Sequence, residues 1–281
     1  QGIMAEKNFF DEIVECLRNT RKTSPAVPVS EAVLKEFMTD LPHRQTHPAP
    51  PAPPSVQQTT AIRTPVPEMV RETPPPATTS VPALSPAQIM QMDWQELAAA
   101  VADCHACRLC EHRRHTVFED GSRQARLLFF GEGPGADEDA QGIPFVGKAG
   151  ELLTKMIHAM QFSREEVYIC NTVKCRPPGN RNPEPDETEA CRAFAMRQIE
   201  LVKPEVIVIL GAVPLRFLFP KIYGGIRSMR GKWMNFNGIR VMPTYHPAYL
   251  LRDPAAKADA WKDLQQVMAV FGKTPPPRRR G

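Results

Sequence analysis

Two cysteine pairs offer the most direct chemistry in this chain. Cys104 and Cys107 form a C-x2-C pair, and Cys175 and Cys191 form a C-x15-C pair much further along. A two-residue spacer lets both thiolates face one ion or cluster, and two distant pairs brought together by folding lock separate chain segments to each other. The spacing therefore predicts a four-cysteine metal site and leaves the metal open. Zinc is one candidate, although zinc ribbons usually build both halves as tight knuckles and the second pair here is wide. Cys110 extends the first pair to C-x2-C-x2-C in the manner of a ferredoxin run, but no fourth cysteine followed by proline arrives on schedule, so Cys110 reads as a spare. Cys16 and Cys170 read as small apolar residues, the commonest fate of a buried cysteine. The chain has 7 cysteines and no export signal, which favours metal or redox chemistry over a disulfide framework.

The second candidate is the stretch "GEGPGADEDAQGIPFVGKAG" at 131–150. A phosphate cradle is the first reading of so many glycines. It is weakly supported, because the loop has neither the third-glycine spacing of a dinucleotide site nor the Gly-Lys-Ser/Thr of a P-loop. Further on, Asn171 ends an apolar run and His246 opens "HPAYLLRDP". Read singly, Asn171 is a strand-ending turn residue, Phe145 a core phenylalanine, His246 a structural histidine and Leu250 core packing.

The elements that must position these residues alternate as in an α/β domain. Strands are expected at 125–130, 166–173, 204–211 and 238–247, the third almost continuously apolar as a sheet centre buried on both faces should be. Helices are expected from the Asp93–Glu96 capping box toward Cys104, and over 149–160, 187–202, 213–219 and 255–271. The fold class that follows is α/β, with a central four-stranded parallel sheet between helical layers. Ligands of such sheets sit at the carboxyl ends of the strands. The loops "GEGPG", "NTVKC", "GAVP" and "HP" should accordingly meet in one cleft.

The rest of the chain is different in kind. Half of the 30 prolines lie between Pro25 and Pro86, in runs that cannot bury enough apolar surface to offset their ordering entropy. Residues 40–84 are expected to be a disordered or polyproline-like tether, residues 1–39 a short helical segment, 85–273 the folded domain, and 274–281 a basic disordered tail. The two N-terminal amphipathic stretches, "NFFDEIVECLRNTRK" and "SEAVLKEFMTDL", suit either a docking module for a protein partner or a small hairpin packing on its own chain. No run of eighteen apolar residues and no signal pattern occurs, so a cytoplasmic chain without membrane contact is expected. The net charge of +4 suits a polyanion partner, and the bases cluster in "RLCEHRRH", "IRSMRGK" and "PPPRRRG", each of which alone is also ordinary solvated surface.

Four motifs in order, "CHAC", "GEGPGADEDAQGIPFVGKAG", "NTVKCRPPGNRNPEPDE" and "HPAYLLRDP", resemble the family 4 uracil-DNA glycosylases, the iron-sulfur branch of that superfamily. The resemblance covers about residues 95–270. It implies the three-layer α/β/α sandwich of uracil glycosylases, and a [4Fe-4S] cluster held by Cys104, Cys107, Cys175 and Cys191. The implied activity is removal of uracil from single- or double-stranded DNA by a monomeric, nucleoid-associated base-excision enzyme. The implied uracil slot comprises Gly131, Glu132, Gly133, Phe145, Asn171 and His246. Phe145 would stack on the flipped base, Asn171 would pair with its O4 and N3-H, and His246 would donate to O2. The superfamily's best-known branch has an aspartate at the third position of the first loop, where this chain, like family 4, has Gly133. Water handling then falls to Glu132, Glu138 or Asn180, and Glu138 could instead block a thymine methyl. Leu250 sits where the superfamily carries a wedge for the vacated stack, with Arg252 on a neighbouring phosphate. Rivals to this reading are a uracil-DNA binder without turnover, an iron-sulfur electron carrier and a zinc-stabilised nucleotide-binding module.

Overall fold

A computed structural model describes residues 84–275. The expectations for the N-terminal helices, most of the Pro-rich tether and the end of the basic tail lie outside these residues. Ser85 and Asp93 each close a capping box, starting α1 (Pro86–Ile89) and α2 (Trp94–Ala102). The chain then passes through a 3-10 turn at Arg108–Glu111 into the sheet. No helix among the described residues is long and apolar enough to cross a membrane.

The sheet has six strands rather than the four expected. The elements run β1 (Asp120–Gly121), β2 (Leu127–Gly131), α3 (Ala136–Gln141), α4 (Lys148–Ala159), β3 (Tyr168–Asn171), α5 (Pro185–Ala190), α6 (Arg192–Val202), β4 (Val206–Leu210), α7 (Ala212–Leu218), α8 (Ile226–Met229), β5 (Met234–Phe236), β6 (Ile239–Thr244), α9 (Pro247–Arg252) and α10 (Lys257–Val270). Their order in the sheet is β1-β3-β2-β4-β6-β5. The four strands read from the sequence are the inner ones and pair in parallel. β1 and β5, two and three residues long, add antiparallel to either edge. Strands this short carry no readable periodicity, and they leave little open edge on the sheet.

Alternation along the strands divides the core. Leu127, Phe129, Val206, Val208 and Met242 face one apolar cluster with α4 and α10, while Leu128, Phe130, Tyr168, Ile207, Ile209 and Val241 face another with α6 and α7. With helices over both faces, the architecture is an α/β/α sandwich. Behind α6, Phe194 packs with Ile89, Leu97 and Val101 of α1 and α2, which carries the first cysteine pair toward the second. The long helix expected over 187–202 is two helices that meet at Cys191, the C-cap of one and the N-cap of the next.

From β2 the chain moves to β3 on one side and then crosses to β4 on the other. A crevice opens at such a reversal, outside the carboxyl ends of the strands. Gly131, Asn171, Gly211 and His246 all lie at or just beyond those ends.

Candidate active site

A cleft of about 380 Å³ occupies that crevice, lined by Glu132–Glu138, Phe145, Asn171, Asn180–Pro183, His246 and Arg252 among others. Three of the four strand-end loops meet in it. The fourth, "GAVP", does not line the cleft. Gly211 instead backs the histidine: its φ of +99° is a left-handed conformation, and a Cβ there would come within 3.2 Å of the His246 Cβ.

Gly131 and Asn171 are paired across the β2–β3 ladder, so the last residue of each strand enters the cleft side by side. A Cβ on Gly131 would lie 2.3 Å from the Asn171 Oδ1 and 2.5 Å from the Phe145 Cζ. Glycine is what keeps that corner open. Asn171 is 1% exposed, and its Oδ1 is the one buried side-chain polar atom without a partner among the described residues. A buried acceptor of this kind is rare unless something outside the chain completes it. Gly133 likewise stands against Val173, 2.8 Å from where a Cβ would be placed.

His246 is the N-cap of α9, and its Nδ1 accepts a hydrogen bond of 3.1 Å from the Ala248 amide. An imidazole whose Nδ1 accepts carries its proton on Nε2 when neutral. Burial, and then the nearby positive charge of Arg252, push the His246 pKa down to about 4. At neutral pH the ring is therefore an uncharged Nε2-H donor.

The acidic residues divide by environment. Both oxygens of Glu138 are engaged: Oε2 accepts from Gly135 N at 3.0 Å, and Oε1 from Val146 N and Gly147 N at 3.0 and 2.9 Å. Glu138 thus ties the glycine loop to the segment that holds Phe145, and this engagement of both oxygens favours a structural role for it over the water-handling one. Glu132 is half-buried on the cleft wall, and burial raises its pKa. Asn180 is exposed at the rim and accepts from the Arg176 Nε at 2.8 Å.

Leu250 requires a correction. It is 0% exposed and belongs to the core cluster against α4 and α10, so it cannot enter a DNA stack. Helix phase decides this: on α9 the next residue, Leu251, faces outward at 44% exposure. Arg252 does line the cleft. Lys148, Arg181 and Tyr249 are among the lining residues not singled out from the sequence. Lys148 and Arg181 bring positive charge, and Tyr249 donates from its hydroxyl to Asp253 at 2.7 Å while accepting from Arg227. All three sit inside motifs already quoted, where a cation or aromatic within the motif was the available signal.

On the outer flank, Cys104, Cys107, Cys175 and Cys191 line one small cavity, together with Cys110, Arg113, Lys174 and the apolar Val101 and Phe194. The four thiols come from the end of α2, the start of the 3-10 turn, the loop after β3 and the α5–α6 junction. Arg113 donates to the Cys175 Sγ at 3.2 Å and to the Cys104 carbonyl at 2.6 Å. Burial pushes the Cys175 thiol up to about 11, against that hydrogen bond, and the Cys191 thiol up to about 12. Among the described residues no three of Cys, His, Asp and Glu converge on a single ion site; the thiols surround a space instead.

A cleft at the carboxyl ends of a parallel sheet, with a buried unpaired amide, a neutral histidine donor and an aromatic wall, defines a base-binding α/β protein. The profile of the Uracil DNA glycosylase superfamily matches residues 118–265, and the chain belongs to that superfamily, in its type-4 branch. It is 47% identical over 154 residues to the type-4 uracil-DNA glycosylase of Thermotoga maritima, covering 54% of this chain and 80% of the relative. With the type-4 enzyme of Saccharolobus solfataricus it shares 41% identity over 187 residues, 64% of this chain and 87% of the relative. With that of Archaeoglobus fulgidus it shares 36% over 188 residues, 64% and 94%.

Proposed function

We infer that the chain is a uracil-DNA glycosylase that hydrolyses the N-glycosidic bond of deoxyuridine in DNA, releasing uracil and leaving an abasic site for base-excision repair. The observation that carries the site assignment is the orphan Oδ1 of Asn171. Uracil N3-H supplies the missing donor, and the same amide's NH2 donates to O4. Cytosine reverses both groups, so one fixed amide separates the two bases.

The base must leave the duplex stack to reach Asn171, which lies at the inner end of a narrow slot. Phe145 supplies a flat wall for it and Gly131 the clearance. As the sugar-base bond lengthens, negative charge develops on uracil, and the His246 Nε2-H is aimed to stabilise it at O2. A preorganised donor in a site screened from water is the largest single source of such rate enhancement. Glu132 and Asn180 remain the groups we assign to the attacking water, with the Glu132 carboxylate also favouring the cationic sugar. Lys148, Arg181 and Arg252 on the cleft wall suit the phosphates on either side of the flipped nucleotide.

The donor chemistry of the cysteine cavity suits a [4Fe-4S] cluster. Four thiols from separate chain segments line it, and Arg113 already donates to one sulfur. Cys104, Cys107, Cys175 and Cys191 would hold the cluster, which would tie the end of α2, the loop after β3 and the α5–α6 junction to one another, and that loop leads directly to Asn180 and Arg181 at the cleft. The role we give it is to hold the chain in place.

The test is incubation with a single-uracil oligonucleotide, followed by alkali. Wild type should cleave at the uracil, and His246→Ala and Asn171→Ala should lose most of that cleavage. Intact oligonucleotide after exposure to iron-replete wild type would overturn the reading.

A further inference from the structure

Lys174 is 2% exposed, one of the largest fully buried side chains in the protein. Burying an ammonium is costly unless an opposite charge compensates it. Among the described residues no carboxylate bonds it directly; Glu119 acts on it from beyond Tyr168 and Gln198. Its Nζ donates to two neutral oxygens, the main-chain carbonyl of Asn171 at 2.6 Å and the side-chain carbonyl of Gln198. Gln198 is in turn fixed by donating to the Tyr168 hydroxyl at 2.9 Å and the Phe118 carbonyl at 3.0 Å. Lys174 also lines the cysteine cavity. One ammonium therefore stands between the metal-binding thiols and the backbone of the residue that reads the base.

We propose that Lys174 is the counter-charge of the cysteine site and the positioning residue that joins it to Asn171. This rests on the assignment of an iron-sulfur cluster to the four cysteines. Four thiolates around a cluster form a net anionic group beside the Nζ, whereas the one carboxylate acting on it, Glu119, does so at longer range, behind Tyr168 and Gln198. Arg113 meets the same group from its partly exposed side at the Cys175 sulfur. Lys174 is the buried half of that pair of cations, and its second hydrogen bond anchors the end of β3. Loss of the thiolate cluster leaves the ammonium beside Asn171 with only the more distant Glu119 as counter-charge, so the metal site and the base-reading strand are coupled through one side chain.

Two variants separate charge from hydrogen bonding. Lys174→Met keeps the length and removes both, and Lys174→Gln keeps a donor without the charge. Both should fold and lose visible absorbance to an iron chelator about tenfold faster than wild type, as expected when a residue supporting metal ligands is removed. Both should also show a more negative cluster reduction potential, a change that a packing defect would not cause. Wild-type kinetics in either variant, or in Lys174→Gln alone, would overturn the proposal. A measurement on unaltered protein guards against variants that fail to fold. Amine acetylation read by mass spectrometry should modify Lys174 after iron removal and spare it in the loaded protein. Lys257, a second buried lysine at 3% exposure on α10, should stay protected in both. Equal protection of Lys174 in both forms, or equal labelling of Lys257, would overturn it. Wild-type protein without iron would instead remove the cluster assignment itself.

Discussion

The rings of Phe145 and His246 stand 5.7 Å apart, centroid to centroid, tilted by 33°. A base sandwiched between them would need roughly 7 Å, twice a carbon contact distance. They are thus adjacent walls of one slot. On the proposed reading Phe145 would offer its face for stacking, and His246 would meet the base at its edge, as a hydrogen-bond donor must.

That placement fixes a pH dependence. Burial holds the His246 pKa at about 4, below its ordinary 6.5, and protonation would put a second N-H against the Ala248 amide. The histidine limb of kcat/KM on uracil DNA should therefore fall only as pH drops through about 4, with no inflection near 6.5. Because the folded pKa is depressed, the neutral ring's contribution to stability is complete above 6.5 and lost as pH falls through about 4. His246→Gln should lower kcat by about 10²–10³, the usual cost of one preorganised donor. A wild-type inflection at 6.5 that disappears in the variant would show that the ring titrates freely.

Gly131 tests the slot from its other side. Gly131→Ala places a methyl group on both Asn171 and Phe145, so one or both must move. Displacement by about 1 Å costs on the order of 10²-fold in rate, and kcat/KM for a single-uracil oligonucleotide should fall by about that factor. Unchanged kinetics would place the base elsewhere.

Glu138 should behave as a structural clamp. Its carboxylate satisfies three part-buried amides, and leaving them unpaired costs up to about 1–3 kcal/mol each, less where water reaches them. Glu138→Ala should lower Tm and raise KM, while leaving the shape of the pH–rate profile unchanged. Loss of an acidic limb from that profile, with stability intact, would return Glu138 to the role of base.

The position of the candidate site was readable where chemistry and element coincide. Asn171 and His246 stand at or just beyond the ends of strands, whose apolar runs are what buried parallel strands require, and the four cysteines were paired by their spacing. What escaped detection depends on contacts made across space. The three amides that occupy Glu138 come from two separate loop segments, and the His246 tautomer is set by one backbone N-H. Edge strands of two and three residues have no periodicity. The break at Cys191 lies in a run that is uniformly favourable to helix. Lys174 reads as an ordinary surface lysine beside a cysteine, and only burial shows otherwise.

Leu250 and Leu251 show how one residue of helix phase changes a role. Leu250 packs in the core, so Leu250→Ala should destabilise the fold by about 2–5 kcal/mol in chemical denaturation. Leu251 is exposed on the helix that carries His246, next to Arg252 at the cleft. An apolar side chain there can fill the gap left by a flipped nucleotide, which exists in a duplex and not in a single strand. Leu251→Ala should leave stability within about 0.5 kcal/mol of wild type, as surface changes do, and should lower activity several-fold on double-stranded uracil DNA with little change on single-stranded. Equal losses on both substrates would mean that Leu251 contributes to general affinity and does not act as a wedge.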